Sequence, residues 1–442
     1  MLKIKNRQEL ELNRLRGLAL DLAETALRSI DTAEVIKEKI KSVNNLLDIS
    51  GRSVKISPAG KLVVLAVGKC ALEASVALED ILGSKITKGL AYDVKPDDQG
   101  RLRQMKYLAG NHPFPTEQNI ENSREVVELL SGLSEADTVL MVISGGASTL
   151  LCLPAGESSF VWEKGSFAEF ETALMKKLFS VGADIEEINT IRKHLSLARG
   201  GNLAKVAFPA QVIGLILSDV PGGHPKMVAS GPTYKDDTTV READEICRRY
   251  DLYDSIDFTA NFLLDTPKED KYFEQVHNEV LVSNQQALEA MVGKAKSVGW
   301  SAEVVTSVLS GEAGKQGRKI SQMLGSEVGG KIFLYGGETT VNITGHGQGG
   351  RNRELALGAL EDLPEDGLIL ALASDGRDNG DPAGALVDDL IRKEAEAKKI
   401  DPKVFFADND SDGFFSQVGG HIFTGRTGSN VADLVIALKG EI

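Results

Sequence analysis

Cysteine is scarce in this chain. Cys70, Cys152 and Cys247 lie far apart in 442 residues and form no C-x-x-C pair. That excludes a disulfide framework and a thiolate zinc site, and it fits a reducing compartment, so a cytoplasmic protein is expected. Long hydrophobic runs are missing too: "LVVLAV" and "LILALA" have the length of strands and cannot span a bilayer. The first residues, "MLKIKNRQELELNRLR", alternate in charge and lack the apolar core of a secretory signal. Positive charge is in deficit, 50 Lys and Arg against 64 Asp and Glu, for a net charge of −14. Such a balance argues against nucleic acid as a partner but leaves room for a small anion, which needs only a few local cations. No G-x-x-x-x-G-K-[ST] loop occurs, and the six histidines show no metal-ligand spacing such as H-E-x-x-H. Repeats of 20 to 50 residues and low-complexity tracts are likewise absent.

What the chain has in quantity is glycine, 45 residues without a collagen-like period, gathered at particular points. Its length exceeds what one hydrophobic core usually serves. Residues from about 7 to 47 carry helical periodicity, with an N-cap signal at Asp31-Thr32. "KLVVLAVGKCA" then runs from an apolar strand into a glycine and a lysine. The same grammar recurs in "DTVLMVISGGAS", "QVIGLILSDVPGG", "KIFLYGGETT" and "LILALASDGRDNGD", with amphipathic helical segments between. Apolar runs without alternation mean strands buried on both faces, and intervening helices mean parallel pairing. The expected class is therefore α/β, doubly wound and Rossmann-like in its N-terminal part. The polar stretch from about 253 to 279 suggests a boundary, giving domains at 1–265 and 278–442, the last segment being free to pack back on the first domain. In such sheets ligands collect beyond the carboxyl ends of the strands, where these polar elbows sit.

Each elbow has a functional and a plain structural reading. "GHGQGGRNREL" satisfies G-x-G-x-x-G at Gly345, Gly347 and Gly350, with Gly349 beside them, and Asp375 falls where a ribose-binding acid belongs. The preceding "TTVNITG" is not a buried strand, however, and Arg351 and Arg353 beside free helix N–H groups suit a triphosphate or a carboxylate better than NAD. The alternative is an ordinary glycine turn. Lys69 opens a helix, an electrostatically unfavourable place for a cation unless an anion joins it. Ser144, Gly145, Gly146 and Ser148 form a cradle of N–H and hydroxyl donors, or simply a tight strand–helix turn. Arg192, Lys193, His194 and Arg199 crowd eight residues of an acidic chain, as the basic rim of a cleft or as a solvated helix face. Asp219 at a strand mouth can hold Mg²⁺ or accept a hydroxyl proton, and Glu338, Asp375 and Asp378 add carboxylates, though each also fits loop chemistry. Together these are the parts of phosphoryl transfer.

The segments "AVGKCA", "GNHPFP", "ISGGAS", "IRKHLSLARGGNLA", "LSDVPGG" with "VASGPT", "GGETTV", "GHGQGGRNRELAL", "ASDGRDNGDPAGA" and "NDSDGFF" with "TGRTGSNVADL" run in order over most of the chain. In this they resemble the glycerate 2-kinases, the MOFRL-type glycerate kinases. The resemblance implies ATP- and Mg²⁺-dependent phosphorylation of D-glycerate at its 2-hydroxyl. It also implies an N-terminal α/β domain and a smaller C-terminal α/β domain with the active site in the cleft between. Lys69 and Arg351 then look like the charge-stabilising pair and Asp219 like the acidic partner or metal ligand. Ser144, Gly145, Gly146, Ser148, Glu338, Gly347, Gly349 and Gly350 would hold the nucleotide; Arg192, Lys193 and Arg353 would hold the substrate. The expected partners are D-glycerate and a nucleotide, with no nucleic acid or membrane and with a homodimer left open. The chain departs from the family pattern at Gly223-His224, where an Asp is common, at Arg426 in place of Pro, and at Asn379 in place of Gly. An NAD(P)H-dependent hydroxypyruvate reductase is the alternative enzyme, and a non-catalytic anion sensor the alternative outside enzymes.

Overall fold

The computed structural model describes residues 2–94, 100–155, 165–220, 222, 224–258, 262–327 and 329–440. The chain divides into two compact units. One, the parallel-sheet unit, comprises Thr32–Ser218 and His224–Leu281; the other, the mixed-sheet unit, comprises Met1–Asp31, Asp219–Gly223 and Val282–Ile442. The division at Leu281 lies just past the expected boundary. The opening residues differ from expectation, because the helix Arg14–Ser29 belongs to the mixed-sheet unit, where it packs on Asn284–Ser297.

In the parallel-sheet unit a small antiparallel meander comes first: β1 (Ile40–Val43), β2 (Leu46–Ile49) and β3 (Arg52–Lys55). The helical reading to residue 47 therefore overshoots. Lys39 ends the helix Thr32–Lys39, "IKSV" alternates as a strand, and Asn44 turns the chain with φ of 51°, a left-handed conformation that Asn tolerates. The main sheet follows with β4 (Leu62–Val67), β5 (Ile86–Asp93), β6 (Lys106–Ala109), β7 (Thr138–Ser144), β8 (Gln211–Leu217) and β9 (Val276–Val282). Their spatial order is β6-β5-β4-β7-β8-β9, with parallel pairing from β6 through β8. Every residue of β4 and β7 is buried, as unbroken apolar runs require. Strand order reverses between β4 and β7. Such a switch point opens a crevice, because the loops leaving the two strands diverge to opposite faces. The loops there are Gly68-Lys69 and Gly145-Gly146.

The mixed-sheet unit contains β10 (Ser301–Leu309), β11 (Lys331–Gly337), β12 (Gly367–Ala373), β13 (Gly384–Asp388), β14 (His421–Ile422) and β15 (Asp433–Lys439). Their order is β10-β11-β15-β12-β13-β14, and only β10 and β11 pair in parallel. The expected parallel neighbours β11 and β12 do run the same way, but β15 lies antiparallel between them. The last segment thus supplies the strand that joins β11 to β12. One face carries a core that includes Ile320, Phe333, Leu355, Ile369, Phe414 and Val435. Among the described residues no helix is long and apolar enough to cross a membrane.

Candidate functional site

At the switch point the two loops are tied to each other. The Lys69 N–H donates to the Gly145 carbonyl at 2.9 Å, and the Ser144 hydroxyl accepts from the Cys70 N–H and donates to the Val67 carbonyl, each at 3.2 Å. Gly68 has φ of 117°, and a Cβ there would stand 2.3 Å from the Ser144 hydroxyl. Only glycine lets the strands' ends come this close. Ser144 is accordingly an internal staple, 1% exposed, and the expectation of a ligand-facing hydroxyl is corrected. The helix Ala71–Leu82 has its own anion as well, since the buried Asp93 carboxylate accepts from the Leu72 N–H at 2.8 Å. That carboxylate offsets part of the penalty of placing Lys69 at a helix start.

Lys69 itself is half-buried, and its chain borders Gly146: a Cβ on that glycine would lie 3.2 Å from Lys69 Cγ and 3.3 Å from His112 Cδ2. The crowded recess, then Lys69 and Arg192, hold the His112 imidazole down at about 4, neutral at ordinary pH. The ring nevertheless keeps an exposed side. Burial and the charge of Arg199 lower Arg192 to about 10, and it stays cationic at pH 7. Beside these, the Ser148 hydroxyl meets that of Ser230 at 3.0 Å, and Ser230 donates to Asn189 at 2.9 Å.

The basic run resolves into separate roles. Arg199 pairs with Glu171 at 2.7 Å, both side chains buried, and His194 lies between the Leu264 carbonyl and the Thr238 hydroxyl. Lys193 pairs with buried Asp236 at 2.9 Å, so its expected substrate contact is replaced by an internal one. Arg192 alone among the run's four basic residues has neither a carboxylate nor a carbonyl as side-chain partner among the described residues; its Nε reaches the Met175 sulfur at 3.2 Å. Asp219, two residues beyond β8, accepts from the Asn430 amide at 3.2 Å. Pro221 and Gly223 of the same loop lie outside the described residues, and His224 is exposed. No group of three His, Cys, Asp or Glu among the described residues is placed to hold a metal ion.

The glycine-rich loop of the mixed-sheet unit is occupied from within. Asn409 Oδ1 accepts from the N–H groups of Thr344 and Gly345, Asp408 Oδ1 from His346, the Asp408 carbonyl from Gly347, and Asp410 Oδ1 from Gln348, at 2.7 to 3.0 Å. Cβ atoms on Gly345 and Gly347 would sit 2.3 Å from Asp408 and Asp410, and those on Gly349 and Gly350 would meet Ser411 and Asp378. These glycines exist so that two stretches of backbone can touch. The helix Arg351–Ala359 is capped by Asp378, which accepts from the Asn352 and Arg353 N–H groups at 3.0 and 2.9 Å. Arg353 is buried against Asp378 and Asp412. The reading of Arg353 as a substrate cation is therefore corrected, since Asp378 and Asp412 hold it. The reading of Gly347 as a phosphate donor is corrected because its N–H serves the Asp408 carbonyl; Gly349 and Gly350 are glycines because they pack against Ser411 and Asp378. A dinucleotide turn fits poorly on the same ground, because the amides of Gly345 and Gly347, the first two glycines of its pattern, are already engaged within the chain.

Arg351 is different. Its guanidinium grips Asp433 at 2.5 and 3.0 Å and Glu338 at 2.9 Å, yet about a third of its side chain is open to solvent. Burial pushes the Asp433 carboxyl up to about 7 against the pull of Arg351. Asn379 has φ of 56° and donates to the Gly349 carbonyl at 2.7 Å, so it fills a glycine's place without strain. Asp375 accepts from the Arg377 N–H, and Arg426 is exposed. A cavity of about 550 Å³ in this unit lies elsewhere, between Arg318, Arg392, Lys403 and Phe406.

Glu354, on the same helix, is buried, and among the described residues its carboxylate has only a 3.4 Å contact from the Asn409 amide. Desolvation raises its carboxyl to about 7. The folded chain therefore binds this proton more tightly than the unfolded chain, whose Glu titrates near 4.3, and stability is lost as pH rises from about 4 to 7. Glu354→Gln is expected to unfold at a higher temperature than wild type at pH 8, with the gap closing toward pH 5 in thermal melts. A gap that is constant across pH would show that Glu354 is ionised throughout.

Two family models match the chain. Residues 18–264 match a family described as a domain of unknown function, DUF4147, and residues 331–433 match the MOFRL family. A D-glycerate 2-kinase of Thermotoga maritima is 35% identical over 96% of this chain and 98% of its own. A glycerate 2-kinase of Pyrococcus horikoshii is 34% identical over 96% and 97%. The crystal structure of a glycerate kinase from Thermotoga maritima superposes with a TM-score of 0.83 at 33% identity, covering 96% of this chain and 99% of that one.

Proposed function

The chain belongs to the glycerate 2-kinase family, and from that premise we propose that it transfers the γ-phosphate of ATP to the 2-hydroxyl of D-glycerate, giving 2-phosphoglycerate and ADP. The observation that carries the site assignment is the recess at the β4–β7 switch point, where Lys69 and His112 border Gly146 and Arg192 lies near enough to act on the His112 ring. Two cations in a half-buried recess suit an acid that must also receive a phosphoryl group. Arg192 would hold the glycerate carboxylate, and Lys69 would neutralise charge on the group in transfer. Arg351 would bind nucleotide phosphate, an anion that must compete there with Glu338 and Asp433. Asp219 would take up the hydroxyl proton or offer one carboxylate oxygen to Mg²⁺. In the second case the other ligands would be phosphate oxygens and water, which is how Mg²⁺ is usually held, and the ion would supply neutralising charge to the nucleotide.

The test is a reaction of ATP, Mg²⁺ and D-glycerate followed by phosphorus NMR. A 2-phosphoglycerate signal growing in step with ADP is expected. Oxidation of NADH by hydroxypyruvate at an enzymatic rate, without ADP release, would overturn the reading.

A further inference from the structure

The segment "GNHPFP" has no role in the scheme above, yet its histidine stands beside Gly146, as Lys69 does. Its backbone is fixed from both sides. Asn119, with no exposed surface, accepts from the Asn111 N–H at 3.0 Å and donates to the Asn111 carbonyl at 2.9 Å and to the Thr149 carbonyl at 3.1 Å. The Thr149 hydroxyl donates to the Pro113 carbonyl at 3.2 Å. Thus the residues on either side of His112 are clamped to the helix Glu117–Leu130 and to the turn that follows Gly146. The imidazole itself is exposed on one side and makes no hydrogen bond to any described residue. The clamp fixes where the ring stands, and both of its nitrogens stay open to a ligand's polar groups.

We propose that His112 is the specificity residue for the acceptor: its imidazole hydrogen-bonds the 3-hydroxyl of glycerate, the hydroxyl that is not phosphorylated. The proposal rests on the kinase reading. The 2-hydroxyl must face the incoming phosphoryl group on the Lys69 side, and the carboxylate is drawn to Arg192. His112 borders the first of these cations across Gly146 and feels the charge of both. It is therefore placed for the remaining polar group of a three-carbon acid. A ring held neutral between two cations is a poor proton acceptor, which favours holding a hydroxyl over deprotonating one. A site built to hydrogen-bond a hydroxyl discriminates strongly against the analogue lacking it.

D-Lactate is glycerate without the 3-hydroxyl, so the experiment compares the two acids as acceptors for wild type, His112→Ala and His112→Gln. In wild type, kcat/KM for D-glycerate is expected to exceed that for D-lactate by about 10² or more. His112→Ala should lower the D-glycerate value by about 10²-fold, mostly through KM, while leaving D-lactate and the KM for ATP unchanged. His112→Gln, which keeps a donor near Nε2, should recover part of the loss. An equal fall for both acids, or no fall for either, would overturn the proposal; unchanged melting temperatures and ATP affinity guard against a folding artefact. Failure of the kinase reading itself would be visible separately, as no phosphoryl transfer to D-glycerate by wild type.

Discussion

Replacing Lys69 by alanine is expected to lower kcat for glycerate phosphorylation by roughly 10² or more, with melting temperature nearly unchanged. Backbone hydrogen bonds of the turn stay in place when the side chain is removed: the Lys69 N–H to Gly145 remains, and so does the Cys70 N–H to Ser144. What goes is a fixed positive charge in a half-buried recess, where charge is screened less than at an open surface. A cation that acts on developing charge affects the transition state more than the ground state, so kcat should fall further than the KM for glycerate rises. Steady-state kinetics with a coupled ADP assay measures both. A kcat within about threefold of wild type would remove Lys69 from the chemistry. Lys69→Arg should restore part of the rate.

The largest effect on stability is expected from Asp378→Ala. Its carboxylate caps the helix Arg351–Ala359 at two N–H groups and faces Arg353, and both side chains are 2% exposed. Alanine leaves a buried guanidinium with Asp412 as its remaining acidic partner and leaves two amides without an acceptor. Breaking a buried pair in this way costs on the order of 3–5 kcal/mol. Urea unfolding at pH 7 should show a loss of that size. A loss below about 1 kcal/mol would mean that Asp412 alone neutralises Arg353 and that water reaches the helix end.

Much of the fold could be read directly from sequence because its strands are buried on both faces. The five apolar runs that end in polar elbows are β4, β7, β8, β11 and β12. What sequence could not supply was pairing between distant parts of the chain. Nothing in "GHGQGGRNREL" says that Asp408, Asn409 and Asp410, more than 60 residues later, take up its amides, nor that Asp378 caps its helix. A glycine pattern shows only that backbone approaches something closely, and that something can be phosphate or another stretch of protein. The run Arg192–Arg199 was ambiguous for the same reason, since Glu171 and Asp236 that neutralise two of its members lie elsewhere in the sequence. His112 gave a weaker signal still: a lone histidine before a proline carries no chemical spacing, and only the buried Asn119 clamp sets it apart.

The position of β15 has a consequence for how the molecule is made. A ribosome delivers β10, β11, β12 and β13 before the strand that joins β11 to β12, so the two flanks of that sheet must wait unzipped with their inner edges bare. Residues 32–218 and 224–281, whose sheet needs nothing from beyond Val282, can meanwhile assemble on the nascent chain. Until β15 is in place, β11 and β12 each present an unpaired edge to solvent, and such edges are where strands from other chains can add.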